Sequence, residues 1–141
     1  MQLLSFEKRW LLRICDAVLP ADGHPTLAIG ARDVPLGGLV DDLYRSAPTH
    51  FLLGLRLATW VVTCLGPALT GRLRTFGGLS SDDRAAVLAE LAESRIYVLR
   101  EIPMLLKMVA CLGWGGVPEV QRRVGLPVVD AEPPQWTRGA R

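Results

Sequence analysis

The sequence predicts an all-α fold, a single compact domain of five or six helices with an extended C-terminal tail. Apolar side chains recur every three or four residues in several segments, and no segment alternates convincingly with period two. Clusters of glycine and proline separate these segments, as is typical between helices. The chain of 141 residues has the length of one domain. We therefore expect a helical domain over residues 1–127 and a tail over residues 128–141.

The first predicted helix is amphipathic and ends before Pro20, because proline lacks a backbone donor and clashes with the preceding turn. Ser5 is the expected N-cap. The apolar face of the helix repeats every fourth residue, at Phe6, Trp10, Ile14 and Val18. A loop punctuated by glycine and proline follows over residues 20–33.

Two further helices are predicted before residue 66. The first is short, with Asp33 as its N-cap, and ends near Tyr44. The second begins at Thr49 and is expected to end near Leu65, because Gly66 and Pro67 follow.

A membrane span is the alternative interpretation of the segment from Phe51 to Gly71, where Arg56 is the only charged residue. A span needs roughly 20 apolar residues. Only 15 uncharged residues separate Arg56 from Arg72, and Pro67 interrupts them. A central helix buried on several sides is therefore favoured, and no transmembrane segment is predicted.

The fourth helix is predicted to begin after Ser80, with Ser80 and Asp83 forming a capping box. We expect it to continue past Ile96 until Pro103 kinks or breaks it. A fifth helix, apolar on all sides and therefore expected to be buried on all sides, then reaches Leu112. The glycines of residues 113–116 end it, and a short turn of helix is expected over residues 119–124.

Composition excludes several classes of protein. A net charge of +2, from 16 basic and 14 acidic residues, gives no electrostatic footprint for nucleic acid. Cys15, Cys64 and Cys111 form neither a CxxC nor a CxxCH motif, so no structural metal or covalent haem site is predicted. We expect all three to be buried, reduced thiols, with one disulfide as the alternative.

Catalytic motifs are missing from the sequence, since it has no GxSxG, HExxH or GxGxxG pattern in the required context. Asp22 and His24 resemble a base with its orienting partner, but a spacing of two residues in a turn gives no defined geometry. A turn stabilised by Asp22 is the favoured interpretation. No catalytic, cofactor-binding or metal-binding residue is predicted in this chain.

Four stretches, residues 16–25, 74–84, 117–120 and 124–127, together carry a resemblance. Their sequences are DAVLPADGHP, RTFGGLSSDDR, VPEV and VGLP, and in this order and spacing the chain resembles the gluconate 2-dehydrogenase subunit 3 family. The resemblance implies a non-catalytic small subunit that binds and stabilises an FAD-carrying large subunit of the glucose-methanol-choline (GMC) type. It also implies support for the folding or export of that subunit, and a cytochrome as a further partner that accepts electrons.

Relatives in this family often carry a twin-arginine export leader ahead of the first helix. Residues 1–10, MQLLSFEKRW, contain no such leader, so a cytoplasmic location is expected. Periplasmic location by co-export with a partner, or after leader removal, is the alternative.

Association is the function that the residues themselves favour, because the two apolar helices exceed what their amphipathic neighbours need. Methionine and tryptophan are frequent in protein interfaces. The predicted partner-binding residues are Met104, Met108, Trp114, Pro133, Pro134 and Trp136. The alternatives are an independent helical adaptor or regulator that binds an unrelated protein or itself, and a small helical enzyme that uses Asp22 and His24.

Overall fold

The computed structural model describes residues 3–21 and 28–127, and within these ranges the chain forms six helices and no strand. The helices are α1 (Ser5–Val18), α2 (Leu36–Ser46), α3 (Thr49–Leu69), α4 (Ser81–Ala92), α5 (Tyr97–Gly115) and α6 (Pro118–Val124). Two short 3₁₀ turns, Ala31–Asp33 and Phe76–Gly78, lie in the connections. The predicted all-α class is confirmed, while the predicted tail lies outside the described residues.

The core lies where α1 packs against α2, α3, α4 and α5. Leu11 and Ile14 of α1, Leu55 of α3 and Val87 of α4 are fully buried there. The N-terminus of α1 differs from the prediction, because the helix begins at Ser5 itself. The side chain of Glu7 reaches back instead and accepts the backbone N–H of Leu4 at 3.0 Å.

The prediction that α3 ends at Gly66-Pro67 is wrong. The helix continues to Leu69 by widening into one π-helical turn, Val61–Leu65, in which the N–H of Gly66 bonds the carbonyl oxygen of Val61. Pro67 has no N–H to donate into a regular α-helical turn, and the wider turn accommodates it.

Tertiary packing keeps this part of α3 helical. A Cβ atom on Gly66 would lie 3.2 Å from side-chain carbons of both Val87 and Leu91, so α3 and α4 approach closely at this glycine.

The boundary between α4 and α5 also differs from the prediction. Ser80 caps α4 as expected, since its Oγ accepts the N–H of Asp83 at 3.2 Å, but the capping box is incomplete because the Asp83 carboxylate accepts the Ser80 hydroxyl instead of its backbone N–H. However, α4 ends at Ala92, and α5 begins at Tyr97 and runs through Pro103 without a break. Pro103 is buried beside the groove that α1, α4 and α5 line, and burial of its ring offsets the hydrogen bond that proline cannot make.

The start of α2 is a smaller correction. Asp33 does not cap α2 but ends the first 3₁₀ turn, where its carboxylate accepts the N–H of Gly30 at 2.8 Å. The helix itself begins at Leu36 and runs two residues beyond Tyr44. The predicted short helix near the C-terminus is confirmed as α6.

Candidate interaction surfaces

The outer stripe of α3 is an exposed apolar surface. Its members recur at helical spacing on the side of α3 that faces away from the core: Leu53, Leu57, Trp60, Cys64, Leu65 and Leu69. Leu53 and Leu57 are 54% and 64% exposed. No member of the stripe is charged. Soluble monomers rarely leave so continuous an apolar surface uncovered unless it has a binding role.

Length and composition would also allow α3 to cross a membrane, because it has 21 residues and is strongly apolar. In this fold 44% of its apolar window is buried among the other helices. Arg56, at its middle, is held by Glu7 of α1. These contacts attach one side of α3 to the rest of the fold, and the absence of a transmembrane segment stays a prediction.

The α5 ridge is the second exposed surface. It consists of Tyr97, Arg100, Glu101, Met104, Lys107, Met108 and Cys111, which share the side of α5 that points away from the core. Met104, at its centre, is 65% exposed. The expectation that this helix is buried on all sides is therefore wrong. Ile102, Leu106 and Val109 are buried on its opposite side.

A groove runs along each flank of the α5 ridge. The α3–α5 groove has a volume of about 580 Å³, and its lining includes Gly54, Leu57, Ala58, Tyr97, Met104 and Met108. The α4–α5 groove has a volume of about 480 Å³, and its lining includes Ala85, Ala89, Ala92, Arg100, Met104 and Lys107. Met104 and Glu101 line both grooves, so the ridge separates them.

A buried carboxylate joins α1 to α3 behind the outer stripe. Glu7 is completely buried and accepts hydrogen bonds from Arg56 Nε and from Trp60 Nε1, each at 2.7 Å. The ring of Trp60 packs edge to face against those of Phe6 and Trp10, which also contact each other, with 5.0–6.0 Å between ring centroids. Together with the bond from Leu4, three donors satisfy this carboxylate. We call this group the Glu7 junction.

The electrostatics of the Glu7 junction follow from these contacts. Burial raises the pKa of Glu7, but hydrogen bonds from Leu4, Trp60 and Arg56 and the charge of Arg56 lower it by more, so it lies below the ordinary 4.5. The charge of Glu7 also affects Tyr44 of α2. Burial, and then the charge of Glu7, raise the pKa of Tyr44 to about 12. Its buried hydroxyl has no hydrogen-bond partner among the described residues.

The residues predicted to bind a partner fall in three places. Met104 and Met108 lie on the α5 ridge and are exposed. Trp114 is half-buried, and its indole N–H donates to the carbonyl oxygen of Ile29 at 3.0 Å, which fastens the end of α5 to the segment before α2. Pro133, Pro134 and Trp136 lie outside the described residues, as do Asp22 and His24.

Potential catalytic groups do not converge in the described part of the chain. His50 is exposed at the start of α3. Asp41 and Asp42 are adjacent carboxylates on α2, but each forms an ion pair with a different base, Asp41 with Lys8 and Asp42 with Arg45. Within residues 3–21 and 28–127, no three His, Cys, Asp or Glu side chains gather as metal ligands would.

The three cysteines have different environments, and all are free thiols in the structure. Cys15 is buried as expected, and burial raises the pKa of its thiol to about 11. Cys111 is partly exposed on the α5 ridge. The expectation of burial is wrong for Cys64, which is exposed on the outer stripe of α3.

A scan against protein-family models, a search of curated proteins and a search of solved structures each found no match to this chain. The resemblance to the gluconate 2-dehydrogenase subunit 3 family therefore stays a prediction.

The Glu7 junction was missed from the sequence, although the sequence contains a signal for it. Glu7 lies on the same helical face as Leu11 and Ile14, and Arg56 is the only charge in the long apolar segment of α3. An isolated charge on an apolar face must be paired when it is buried. Since Glu7 and Arg56 are isolated charges of opposite sign, the sequence alone could have predicted that they form an ion pair.

Proposed function

We propose that this chain is a non-catalytic small subunit of a flavin-dependent dehydrogenase complex of the GMC type. On this proposal it binds and stabilises the large subunit, which carries FAD and the reaction, and supports its folding or export. The observation that carries the proposal is the uncharged outer stripe of α3. The family resemblance supplies the identity of the partner.

The outer stripe of α3 suits a protein partner because it is apolar and because the Glu7 junction fixes it from behind. Burial of its leucines and of the exposed edge of Trp60 would contribute about 25 cal/mol for each Å² of apolar area removed from water. The Glu7 junction holds Trp60 and Arg56 from behind. A helix held in this way loses little conformational freedom when it binds, which favours affinity.

Co-expression with a GMC-type flavoprotein from the same organism tests the proposal. We expect the two proteins to purify together and the flavoprotein to be insoluble when it is expressed alone. Cys64 gives a direct readout, because its exposed thiol should react several-fold more slowly with a maleimide in the complex than in the free chain. A C64S variant, which lacks this thiol, shows how much of the maleimide reaction comes from Cys64.

A charge placed on the stripe should prevent assembly. We expect the double variant L53E/L65E to lose the flavoprotein during purification while remaining folded. The matched control is L73E/L126E, in which two exposed leucines outside the stripe receive the same charge. The proposal is overturned if the flavoprotein is soluble and active without this chain, or if the purified chain itself carries stoichiometric flavin or oxidises a substrate.

An independent adaptor or regulator that binds itself or an unrelated protein is the second candidate. The α5 ridge favours it, because this ridge is a second exposed surface, which meets the outer stripe of α3 only at Leu57 in the α3–α5 groove. Stoichiometric assembly with the flavoprotein distinguishes the two candidates.

A further inference from the structure

A group of four arginines borders the outer stripe of α3 on the side of α1. We call it the Arg13 patch, and its members are Arg9, Arg13, Arg74 and Arg84. Two of them meet at the 3₁₀ turn Phe76–Gly78. Arg13 lies so close over Gly77 that its guanidinium leaves no room for a Cβ atom there. Arg84 donates from Nε to the carbonyl oxygen of Phe76 and from Nη2 to that of Gly77, each at 3.1 Å.

The other two members extend the patch along this edge of the molecule. Arg74 precedes the same turn, and its Cβ lies 3.9 Å from the position that a Cβ atom on Gly78 would take. Arg9 precedes Arg13 by four residues on α1, which places their Cβ atoms about 6 Å apart. Four positive groups therefore lie close together around one turn.

The Arg13 patch and the outer stripe of α3 form one continuous surface. Trp10 of α1 packs edge to face on Trp60 of the stripe, with 5.1 Å between ring centroids, and Arg13 follows Trp10 by one helical turn. The turn Phe76–Gly78 also contacts the π-helical turn Val61–Leu65 of α3. A molecule that covers the stripe near Trp60 therefore also meets the patch.

The charges of the Arg13 patch are not neutralised by the rest of the fold. None of its four members forms an ion pair with any residue in 3–21 or 28–127. The two acidic residues of α1 are already engaged, Glu7 by Arg56 and Asp16 by Arg32. All members except Arg84 are exposed. Like charges at close range repel one another, and an anion bound among them relieves this repulsion.

We propose that the Arg13 patch binds carboxylates of the large subunit that covers the outer stripe of α3. The partner surface is then an apolar groove whose rim carries Asp or Glu side chains on the side of α1. A guanidinium group matches a carboxylate because it offers two parallel N–H donors in one plane. Arg13 is held against Gly77 before binding, so it loses little conformational freedom when it pairs. This inference rests on the proposed function and defines the chemistry of its interface.

An anionic membrane surface is the other ligand that suits an apolar stripe beside arginines. Charges beyond the C-terminal end of the stripe disfavour it. Arg72 pairs there with Asp83 and Glu90, and both carboxylates are about half-exposed. A uniformly anionic surface laid along the stripe would repel them, whereas a protein can match charges of both signs. The charge distribution therefore favours a protein partner.

Retention of this chain on a tagged GMC-type flavoprotein, captured from cells that express both proteins, tests the proposal. The amount of chain per flavin is measured after washes between about 50 and 500 mM NaCl, since salt screens exposed charges. We expect R9E/R74E to lower the retained amount about fivefold or more, because attractive contacts become repulsive. R9K/R74K keeps the charge and should stay within about twofold of the parent chain. Both arginines are exposed, so the variants should keep the parent's circular dichroism spectrum.

The matched control is R95E/K107E. It reverses two exposed basic residues outside the patch that also form no ion pair within the described residues. This variant carries the same change in net charge and should be retained as the parent chain is.

A carbodiimide cross-link identifies the partner group directly. The R13K variant keeps the positive charge and supplies an amine, which a water-soluble carbodiimide joins to a carboxylate in contact with it. We expect mass spectrometry of the captured R13K complex to show a peptide of this chain joined to an Asp or Glu of the flavoprotein. R95K, whose amine lies outside the patch, should give no such peptide.

The inference is overturned, with the proposed function intact, if R9E/R74E is retained as well as R95E/K107E or if R13K gives no cross-link to the flavoprotein. Failure of the parent chain to assemble with the flavoprotein overturns both. Flotation of the chain with vesicles of phosphatidylglycerol and phosphatidylcholine in equal parts, abolished by R9E/R74E, would assign the patch to a membrane and overturn the inference as well.

Discussion

The Glu7 junction and the α5 ridge reverse the usual relation between polarity and burial. At the junction a carboxylate is completely buried, and three donors satisfy it, one just before α1 and two on α3. On the ridge, Met104 and Met108 are exposed, and so is Tyr97. Buried charge thus joins two helices inside the molecule, while exposed apolar side chains leave a surface for other molecules. Neither region can be identified from hydropathy alone.

The largest expected effect is on the free energy of unfolding, and it distinguishes a buried leucine of α3 from an exposed one. Leu55 is fully buried, whereas Leu57 is 64% exposed. We expect L55A to lower the free energy of unfolding by about 3 kcal/mol, because it removes buried carbon and leaves a cavity. L57A should change it by about 0.5 kcal/mol or less. Urea denaturation followed by tryptophan fluorescence measures both, and equal losses would contradict the assignment of the two faces.

The next effect concerns the Glu7 junction. We expect E7A to lower the free energy of unfolding by about 2 kcal/mol, because three donors lose their acceptor while Arg56 keeps partial access to water. The exposed carboxylate of Glu93 provides the matched control, and E93A should have little effect. If E7A matched E93A, the junction would not join α1 to α3 in solution.

Removal of the Tyr44 hydroxyl should have a smaller effect on the free energy of unfolding, and of opposite sign. Its hydroxyl is buried without a partner among the described residues, so Y44F removes a polar group that loses its hydrogen bonds to water on folding and gains none in return. We expect the free energy of unfolding to rise by about 1 kcal/mol or less, measured by the same urea titration. A clear loss of stability would mean that the hydroxyl has a partner in solution.

The smallest expected effect is a difference in pH dependence. Because the pKa of Glu7 in the folded chain lies below its ordinary value of 4.5, its contribution to stability is complete above pH 4.5 and is lost as the pH falls through the folded pKa. The free energy of unfolding should therefore fall more steeply between pH 5 and pH 3 in the parent chain than in E7Q. Parallel curves would contradict the lowered pKa.

Periodicity and capping were enough to predict the fold class, the Ser80 cap and α6. They failed at Gly66-Pro67 and at Pro103, where local chemistry favours a break but packing against α4 and α1 keeps the helix continuous. They also failed to distinguish the buried side of α5 from the exposed side, because both are apolar. Which apolar face remains open depends on contacts between distant segments, and a single helical pattern contains no information about them.

The π-helical turn of α3 sets the phase of the helix as well as its length. The wider turn takes up one more residue than a regular α-helical turn, and in a regular helix that residue would rotate everything after it by about 100° around the axis. If residues 61–65 were wound as regular α-helix without a change of length, Gly66 and Pro67 would therefore point away from Val87 and Leu91. The outer stripe would then be cut into two halves that face different directions. The continuity of that surface therefore depends on the width of this one turn.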